Sequence, residues 1–292
     1  MIARAAQALV VLVLAATPTL ATQREEMLVS AEWLAERAAD HRLVILHVDR
    51  GRAAYDSAHV PGARFVEYTA FTETRNGLST ELPPVDHLVR LVEELGVSND
   101  TRVIVYGNTL QAARFWFTMD FLGHGEQTSL LDGGLDAWRG AGHPVSTEPG
   151  TPPRRGVFHA RPNPAVVVDA DWVAARLNSP SVVLLDARSA EEYRGEREEE
   201  LPRRGHIAGA RNLDWTTLFE GGRLKPVNQL HEQFLSRGAS DGVELVTYCR
   251  VGTRAAMLYF ISRYLGYATR LYDGSMVEWS ARADLPMARG GN

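Results

Sequence analysis

The sequence predicts an α/β protein built from two similar domains in tandem, each a central, mainly parallel sheet flanked by helices. Three observations carry that prediction. Short β-branched runs are bounded by turn residues, which is the pattern of buried parallel strands. Amphipathic stretches lie between them, and alternating strands and helices imply a parallel sheet. Finally, four segments recur in the same order in the two halves, which identifies a duplicated unit.

The first recurring segment is the apolar run Leu43 to Val48, followed by Asp49-Arg50. Its match is Val182 to Leu185, followed by Asp186-Ala187-Arg188. Next, Ala58-His59-Val60-Pro61-Gly62-Ala63 matches Gly205-His206-Ile207-Ala208-Gly209-Ala210. The strand Val103-Ile104-Val105-Tyr106-Gly107 then matches Leu245-Val246-Thr247-Tyr248-Cys249. Last, Leu131-Asp132-Gly133-Gly134 with Trp138 matches Tyr272-Asp273-Gly274-Ser275 with Trp279. Helical spacing puts Phe115, Met119 and Leu122 on one face in the first half, and Met257, Ile261 and Tyr264 on one face in the second. Glu148 to Pro164 is rich in proline and arginine and lacks apolar periodicity, so it reads as a linker. The expected domains are 28–147 and 165–289, joined by 148–164.

The chain has 292 residues, 45% of them hydrophobic, which is enough for each domain to bury a core. The net charge of −5, with no basic block, argues against a nucleic-acid partner. Residues 1–21 read as a signal peptide: Arg4 gives a positive start, and Ala8 to Ala16 is apolar but too short to span a bilayer. Thr19-Leu20-Ala21 supplies small residues for cleavage after Ala21. The competing reading is an uncleaved anchor. The expected location is periplasmic or secreted, with no stable membrane insertion once the signal is removed.

Cys249 is the only cysteine. An odd cysteine in an exported protein points to intermolecular pairing or a reactive thiol; the bland alternative is an inert buried one. Its surroundings decide. Cys249 ends a strand and is followed by Arg250-Val251-Gly252-Thr253-Arg254 and then a helix. A glycine-containing turn into a helix aims backbone N–H groups into one concavity, and the helix dipole and two arginines add positive potential there. Such surroundings favour a thiolate and bind an anionic substrate.

The tandem organisation, the two His-x-x-Gly-Ala segments, the Asp-Gly segments with their tryptophans, and Cys-Arg-Val-Gly-Thr-Arg-Ala together resemble the rhodanese family. The resemblance runs from about Ser30 to Leu285. It implies a thiosulfate or 3-mercaptopyruvate sulfurtransferase whose second domain carries the active cysteine. Gly107 standing in place of Cys249 fits a non-catalytic first domain. The implied chemistry is attack of Cys249 on a small anionic sulfur donor, a persulfide intermediate, and discharge to cyanide, a thiol or a protein acceptor. Ping-pong kinetics follow, and no metal or organic cofactor is needed. The resemblance also assigns Arg188 to donor binding, and Arg194 is a second candidate of the same kind. Arg250 matches thiosulfate-type loops such as Cys-Arg-Lys-Gly; Val251 matches neither these nor the Cys-Gly-Ser-Gly of mercaptopyruvate-type loops.

Other polar residues read as structural. His206 repeats His59 of the non-catalytic half, so both serve the fold. Asp186 organises its loop; Trp279 and Met276 are candidates for the pocket wall, with core packing as the alternative, which Trp138 favours for Trp279. The charged run Glu191 to Arg204 reads as a solvated excursion, with a segment bordering the site as the alternative. Two other functions compete. A cysteine phosphatase also sets a cysteine and an arginine around an anion loop, but with five residues between them; here Arg254 follows Cys249 after four, and Tyr248 stands where that family has histidine. A persulfide carrier or binding module without efficient turnover is the second.

Overall fold

In a computed structural model, residues 26–150, 154–198 and 200–291 are described. The proposed signal segment lies outside them. No helix among the described residues is long and apolar enough to cross a membrane.

The first domain runs β1 (Leu28–Val29), α1 (Ala31–Arg37), β2 (Leu43–Asp49), α2 (Ala53–Ser57), β3 (Arg64–Glu67), β4 (Glu73–Arg75), β5 (Leu78–Glu81), α3 (Val85–Glu94), β6 (Arg102–Gly107), α4 (Thr109–Phe121), β7 (Thr128–Leu131) and α5 (Gly134–Gly140). Its five-stranded parallel sheet has the order β1-β7-β6-β2-β3, and β4 and β5 form a separate hairpin. The second domain repeats this: β8 (Val167–Val168), α6 (Ala170–Ala174), β9 (Val182–Asp186), α7 (Ala190–Arg194), β10 (His206–Ile207), β11 (Arg211–Asn212), β12 (Phe219–Glu220), β13 (Arg223–Leu224), α8 (Val227–Leu235), β14 (Glu244–Tyr248), α9 (Thr253–Tyr264), β15 (Thr269–Tyr272), α10 (Ser275–Ala281) and β16 (Met287–Ala288). Its parallel sheet is ordered β8-β15-β14-β9-β11, the same path through the fold. The hairpin β12–β13 stands where β4–β5 stands.

The duplication extends to single hydrogen bonds. The Tyr106 hydroxyl accepts from the Val60 N–H, as the Tyr248 hydroxyl does from Ile207. Tyr55 and Tyr193 donate to the carbonyls of Ala63 and Ala210. The indoles of Trp138 and Trp279 donate to Pro144 and Pro286. His59 stacks on Tyr55 and His206 on Tyr193, each with Nδ1 on that tyrosine's carbonyl. Burial, offset only in part by the Tyr193 carbonyl, lowers the His206 pKa, as suits a neutral packing residue.

Strand register corrects one sequence alignment. Tyr106 pairs with His47, and Tyr248 pairs with Asp186. His47 is therefore the counterpart of Asp186, and Asp49 the counterpart of Arg188; matching the two aspartates to each other is two residues out of register.

Helices α4 and α9 pack against each other across the interdomain boundary. Trp116 meets Phe260 edge-on at 5.0 Å, Phe117 meets Tyr259 at 4.9 Å, and the Tyr259 hydroxyl donates to Asp120. Both helices are buried well beyond the single face that periodicity predicted, because each has its own sheet on one side and the other domain on the other. Residues 154–163 carry no helix or strand, yet they hold to the first domain. Arg155 pairs with Glu93, Gly156 and Phe158 donate to Glu93, and Phe158 is buried.

Candidate active site

Cys249 follows the last residue of β14 at the carboxyl end of the sheet, the edge on which open α/β sheets place ligands. It is 1% exposed. Its N–H donates to Ser275 Oγ at 3.2 Å, and its carbonyl accepts from the Met276 N–H. The Arg250 carbonyl accepts from Val277. The first turn of α10 thus fixes the backbone on which the thiol is mounted. Ser275 holds a left-handed φ of 50°, where its counterpart Gly134 has 54°. A serine tolerates that conformation here because its hydroxyl bonds both Tyr272 and Cys249.

The two strand-to-helix turns differ in length and in how the helix that follows is capped. In the first domain the helix N-cap is Asn108, two positions after Tyr106. Its side chain accepts from the N–H groups of Leu110 and Gln111. In the second domain the N-cap is Gly252, four positions after Tyr248, with no side chain to cap α9. The turn is two residues longer. The backbone N–H groups of Arg250 through Ala255 find no acceptor among the described residues. A helix start ordinarily leaves four such donors; here the row extends back through the loop to the residue after Cys249. That is an anion-binding cradle of the kind helix N-termini provide. Gly107 cannot be converted into a second Cys249. Its φ is 117°, and a Cβ there would collide with the Val48 carbonyl oxygen and lie 2.9 Å from His47. A cavity of about 560 Å³ lies over Gly107 and Asp132, roofed by Phe219, Arg223 and Leu224 of β12–β13.

The candidate residues fall into three groups. Arg250, Val251, Gly252, Thr253 and Arg254 all form the loop around Cys249. Arg250 is half-buried, and its guanidinium has no hydrogen-bond or ion-pair partner among the described residues. Arg254 makes a two-pronged pair with Glu192 at 2.6 and 2.8 Å. Burial disfavours its charge, but the Glu192 hydrogen bond and the field of Cys249 outweigh that and hold its pKa above the ordinary value. Glu192 lies in α7, within the run read as solvated, and is 4% exposed. That run is anchored a second time, by Arg203 donating to the carbonyls of Trp279, Ser280, Arg282 and Leu285. The run is thus anchored at Glu192 and Arg203, while Glu196, Arg197 and Glu198 between them are exposed.

The other two arginines do not stand open to a donor. Arg188 is fully buried and donates to Asp186 and to the Gly205 carbonyl. Burying two opposite charges together satisfies both, and the pair closes the end of β9. Arg194 pairs with Glu196 at 2.8 Å, on the solvent side. Met276 and Trp279 are wholly buried core residues.

Sequence reasoning missed the contribution of the first domain. The Tyr68 hydroxyl bonds Thr253 Oγ1 at 2.7 Å. The Thr80 hydroxyl, on β5, donates to the Val251 carbonyl. Arg114 of α4 makes two bonds to Asp273, at 2.6 and 2.8 Å, and a third to the Thr80 carbonyl. Gly252, with φ 87°, packs so closely on Asp273 that a Cβ would collide with its carboxylate. The available signals were the Asn76-Gly77 and Gly221-Gly222 pairs, which mark tight hairpins by their positive φ. Nothing in the sequence says which domain such hairpins touch.

Glu81 borders the same cluster. Burial, and then the charge of Asp273, push its carboxyl up to about 7, against the opposing fields of Arg114 and Arg75. Because this exceeds the ordinary 4.5, the folded state favours the protonated form. Its stabilising contribution is full below about 4.5 and is lost as pH rises through about 7. Glu81→Gln is expected to melt higher than wild type at pH 8, with the gap closing as the pH is lowered to 5. Thermal melts of both proteins across that range check it; a constant gap sinks the assignment.

The rhodanese-like domain matches the chain twice, at residues 30–141 and 169–282. The chain is 34% identical to the 3-mercaptopyruvate sulfurtransferase of Escherichia coli over 89% of its length and 96% of the relative's. It is 32% identical to the sulfur carrier protein TtuD of Thermus thermophilus, over 91% of this chain and 97% of that one. A putative thiosulfate sulfurtransferase of Mycobacterium tuberculosis is 30% identical over 91% of this chain and 99% of its own. Among solved structures, an anaerobic ergothioneine biosynthesis enzyme from Chlorobium limicola superposes with a TM-score of 0.81 at 24% identity, over 92% of this chain and 71% of that one. This last likeness concerns the fold.

Proposed function

The chain belongs to the rhodanese family, its relatives include proteins named sulfurtransferases, and from that premise we propose that it transfers sulfane sulfur from thiosulfate through a persulfide on Cys249. The observation that carries this reading is the uncapped turn, with six successive N–H donors around the only thiol in the chain.

In the first half-reaction the Cys249 thiolate attacks the outer sulfur of thiosulfate. A new S–S bond forms to Cys249, the bond between the two donor sulfurs breaks, and its electron pair leaves with sulfite. The loop N–H groups and Arg250 hold the donor's negative charge as it shifts toward sulfite. In the second half-reaction cyanide or a thiolate attacks the outer sulfur of the persulfide, and the Cys249 thiolate is regenerated. The covalent intermediate makes the kinetics ping-pong. Thiosulfate is preferred over 3-mercaptopyruvate because Arg250 sits beside the nucleophile without a counter-ion, matching a donor that carries its charge next to the transferred sulfur. The 1% exposure of Cys249 supports a small acceptor over a docked protein thiol.

Initial rates of thiocyanate formation with each donor in parallel test the assignment. The expected result is a higher kcat/KM for thiosulfate. A large preference for 3-mercaptopyruvate overturns the donor while leaving sulfur transfer standing.

A further inference from the structure

The loop that carries Cys249 has a soft point, and the non-catalytic domain holds it. Gly252 is in the left-handed region, and with no Cβ it can reach most backbone conformations. The Val251–Gly252 peptide is therefore free to rotate between two orientations unless something outside the loop fixes it. In a trans peptide the carbonyl and the following N–H point in opposite directions, and the chain has no cis peptide among the described residues. Whatever holds the Val251 carbonyl thus aims the Gly252 N–H.

That hold comes from Thr80, whose hydroxyl donates to the Val251 carbonyl from 171 residues away in sequence. Thr80 has φ 69°, a conformation that β-branched residues rarely adopt. Strain of this kind persists where the surroundings over-determine it, and it clusters at functional sites. Here the determinant is visible: the Thr80 carbonyl accepts from Arg114, which is locked to Asp273, and Asp273 packs on Gly252. Hydroxyl and carbonyl of one strained residue thus tie the loop and its supporting ion pair together. Tyr68 secures the next residue, Thr253.

We propose that Thr80 is a positioning residue of the sulfur-transfer site: it fixes the Val251–Gly252 peptide so that the Gly252 N–H joins the anion cradle, and the non-catalytic domain thereby sets the geometry of the catalytic loop. The proposal rests on the sulfurtransferase reading for its kinetic consequence, but its structural claim can be read without turnover.

Three variants separate positioning from mere packing. Thr80→Val keeps the shape and removes the hydroxyl, Thr80→Ser keeps the hydroxyl, and Thr80→Gly removes both hydroxyl and strain. With thiosulfate as donor, single-turnover persulfide formation is expected to fall roughly 10–100-fold in Thr80→Val, the scale on which small misplacements are felt. Thr80→Ser is expected to stay within about threefold of wild type. Thr80→Gly is expected to lose activity as the valine variant does while melting no lower than wild type, since relieving strain offsets the added chain entropy. Wild-type loading in Thr80→Val, or an equal loss in Thr80→Ser, overturns the proposal.

The second readout is the Gly252 amide resonance during titration of reduced protein with sulfite. It is expected to shift saturably in wild type and to need about tenfold more sulfite in Thr80→Val, one hydrogen-bond donor's worth of anion affinity. If wild type loads no persulfide but this difference appears, the function fails and the clamp stands. If persulfide loads and the amide responds identically in both proteins, the clamp fails and the function stands.

Discussion

Replacing Cys249 with serine is expected to abolish sulfur transfer, lowering turnover by at least roughly 10³-fold, the scale on which loss of a covalent nucleophile is felt. A serine hydroxyl is nearly isosteric with the thiol, so the packing around a residue that is 1% exposed survives. What is lost is the sulfur nucleophile, which has a high affinity for sulfane sulfur where a hydroxyl has none. No second cysteine exists to take its place. The duplicated site cannot compensate either, because Gly107 carries no side chain and its helix is already capped by Asn108. Intact-mass measurement after exposure to thiosulfate checks the mechanism directly. Wild type should gain the mass of one sulfur atom and lose it on adding cyanide, and Cys249→Ser should gain nothing. Full thiocyanate production by the serine variant would remove Cys249 from the mechanism.

The parts of this site that the sequence made legible are those built from consecutive residues. A buried strand, a thiol, a glycine and two arginines lie within eleven positions, from Glu244 to Arg254, and the physics that joins them is local. The duplication was legible for the same reason, since each repeated segment carries its own pattern. Three features were not, and each has a physical cause. The register of a strand follows from ladder pairing rather than from residue identity; hence two aspartates looked equivalent when His47 and Asp186 are the true counterparts. The fate of a charge depends on its partner. Glu192 looked like one of many solvated charges until α7 placed it against Arg254, and the pairing of Arg188 with Asp186 was equally invisible before the fold set it. Contacts between domains leave no trace in local patterning: Arg114 and Asp273 are separated by 159 positions.

The duplication also explains why a domain without a nucleophile is retained. Each domain lays a hairpin over the other's strand ends. The hairpin β4–β5 reaches the Cys249 loop through Thr80, and β12–β13 reaches Asp132 through the Leu224 N–H. Asp132 and Asp273 are counterparts, and each is engaged by the opposite domain. The Cys249 loop thus has its Thr80 and Tyr68 contacts only when both halves are folded and docked.

The ion pair at the centre of that docking should dominate stability. Arg114→Met is expected to destabilise the protein by about 3–5 kcal/mol, the cost of leaving one partner of a buried pair behind. Arg114 is wholly buried, and its side chain is 0% exposed against 4% for Asp273. Burial disfavours its charge, yet the Asp273 carboxylate outweighs this and raises the Arg114 pKa, so the guanidinium keeps its charge. Removing the guanidinium strands a buried carboxylate packed on Gly252 beside Glu81. The melting temperature should fall by roughly 5–15 °C. Removing both charges, as Arg114→Met with Asp273→Asn, leaves no buried anion, and this double variant is expected to melt above Arg114→Met alone. A double variant that melts at or below the single one would show that the guanidinium acts through Thr80 and Phe117 rather than through its carboxylate. Activity separates the two roles further. The double variant recovers stability but not the hydrogen bond to the Thr80 carbonyl, so its persulfide loading should remain low at temperatures where it is fully folded. Recovery of both together would mean that the ion pair only holds the domains, and that the loop keeps its geometry without it.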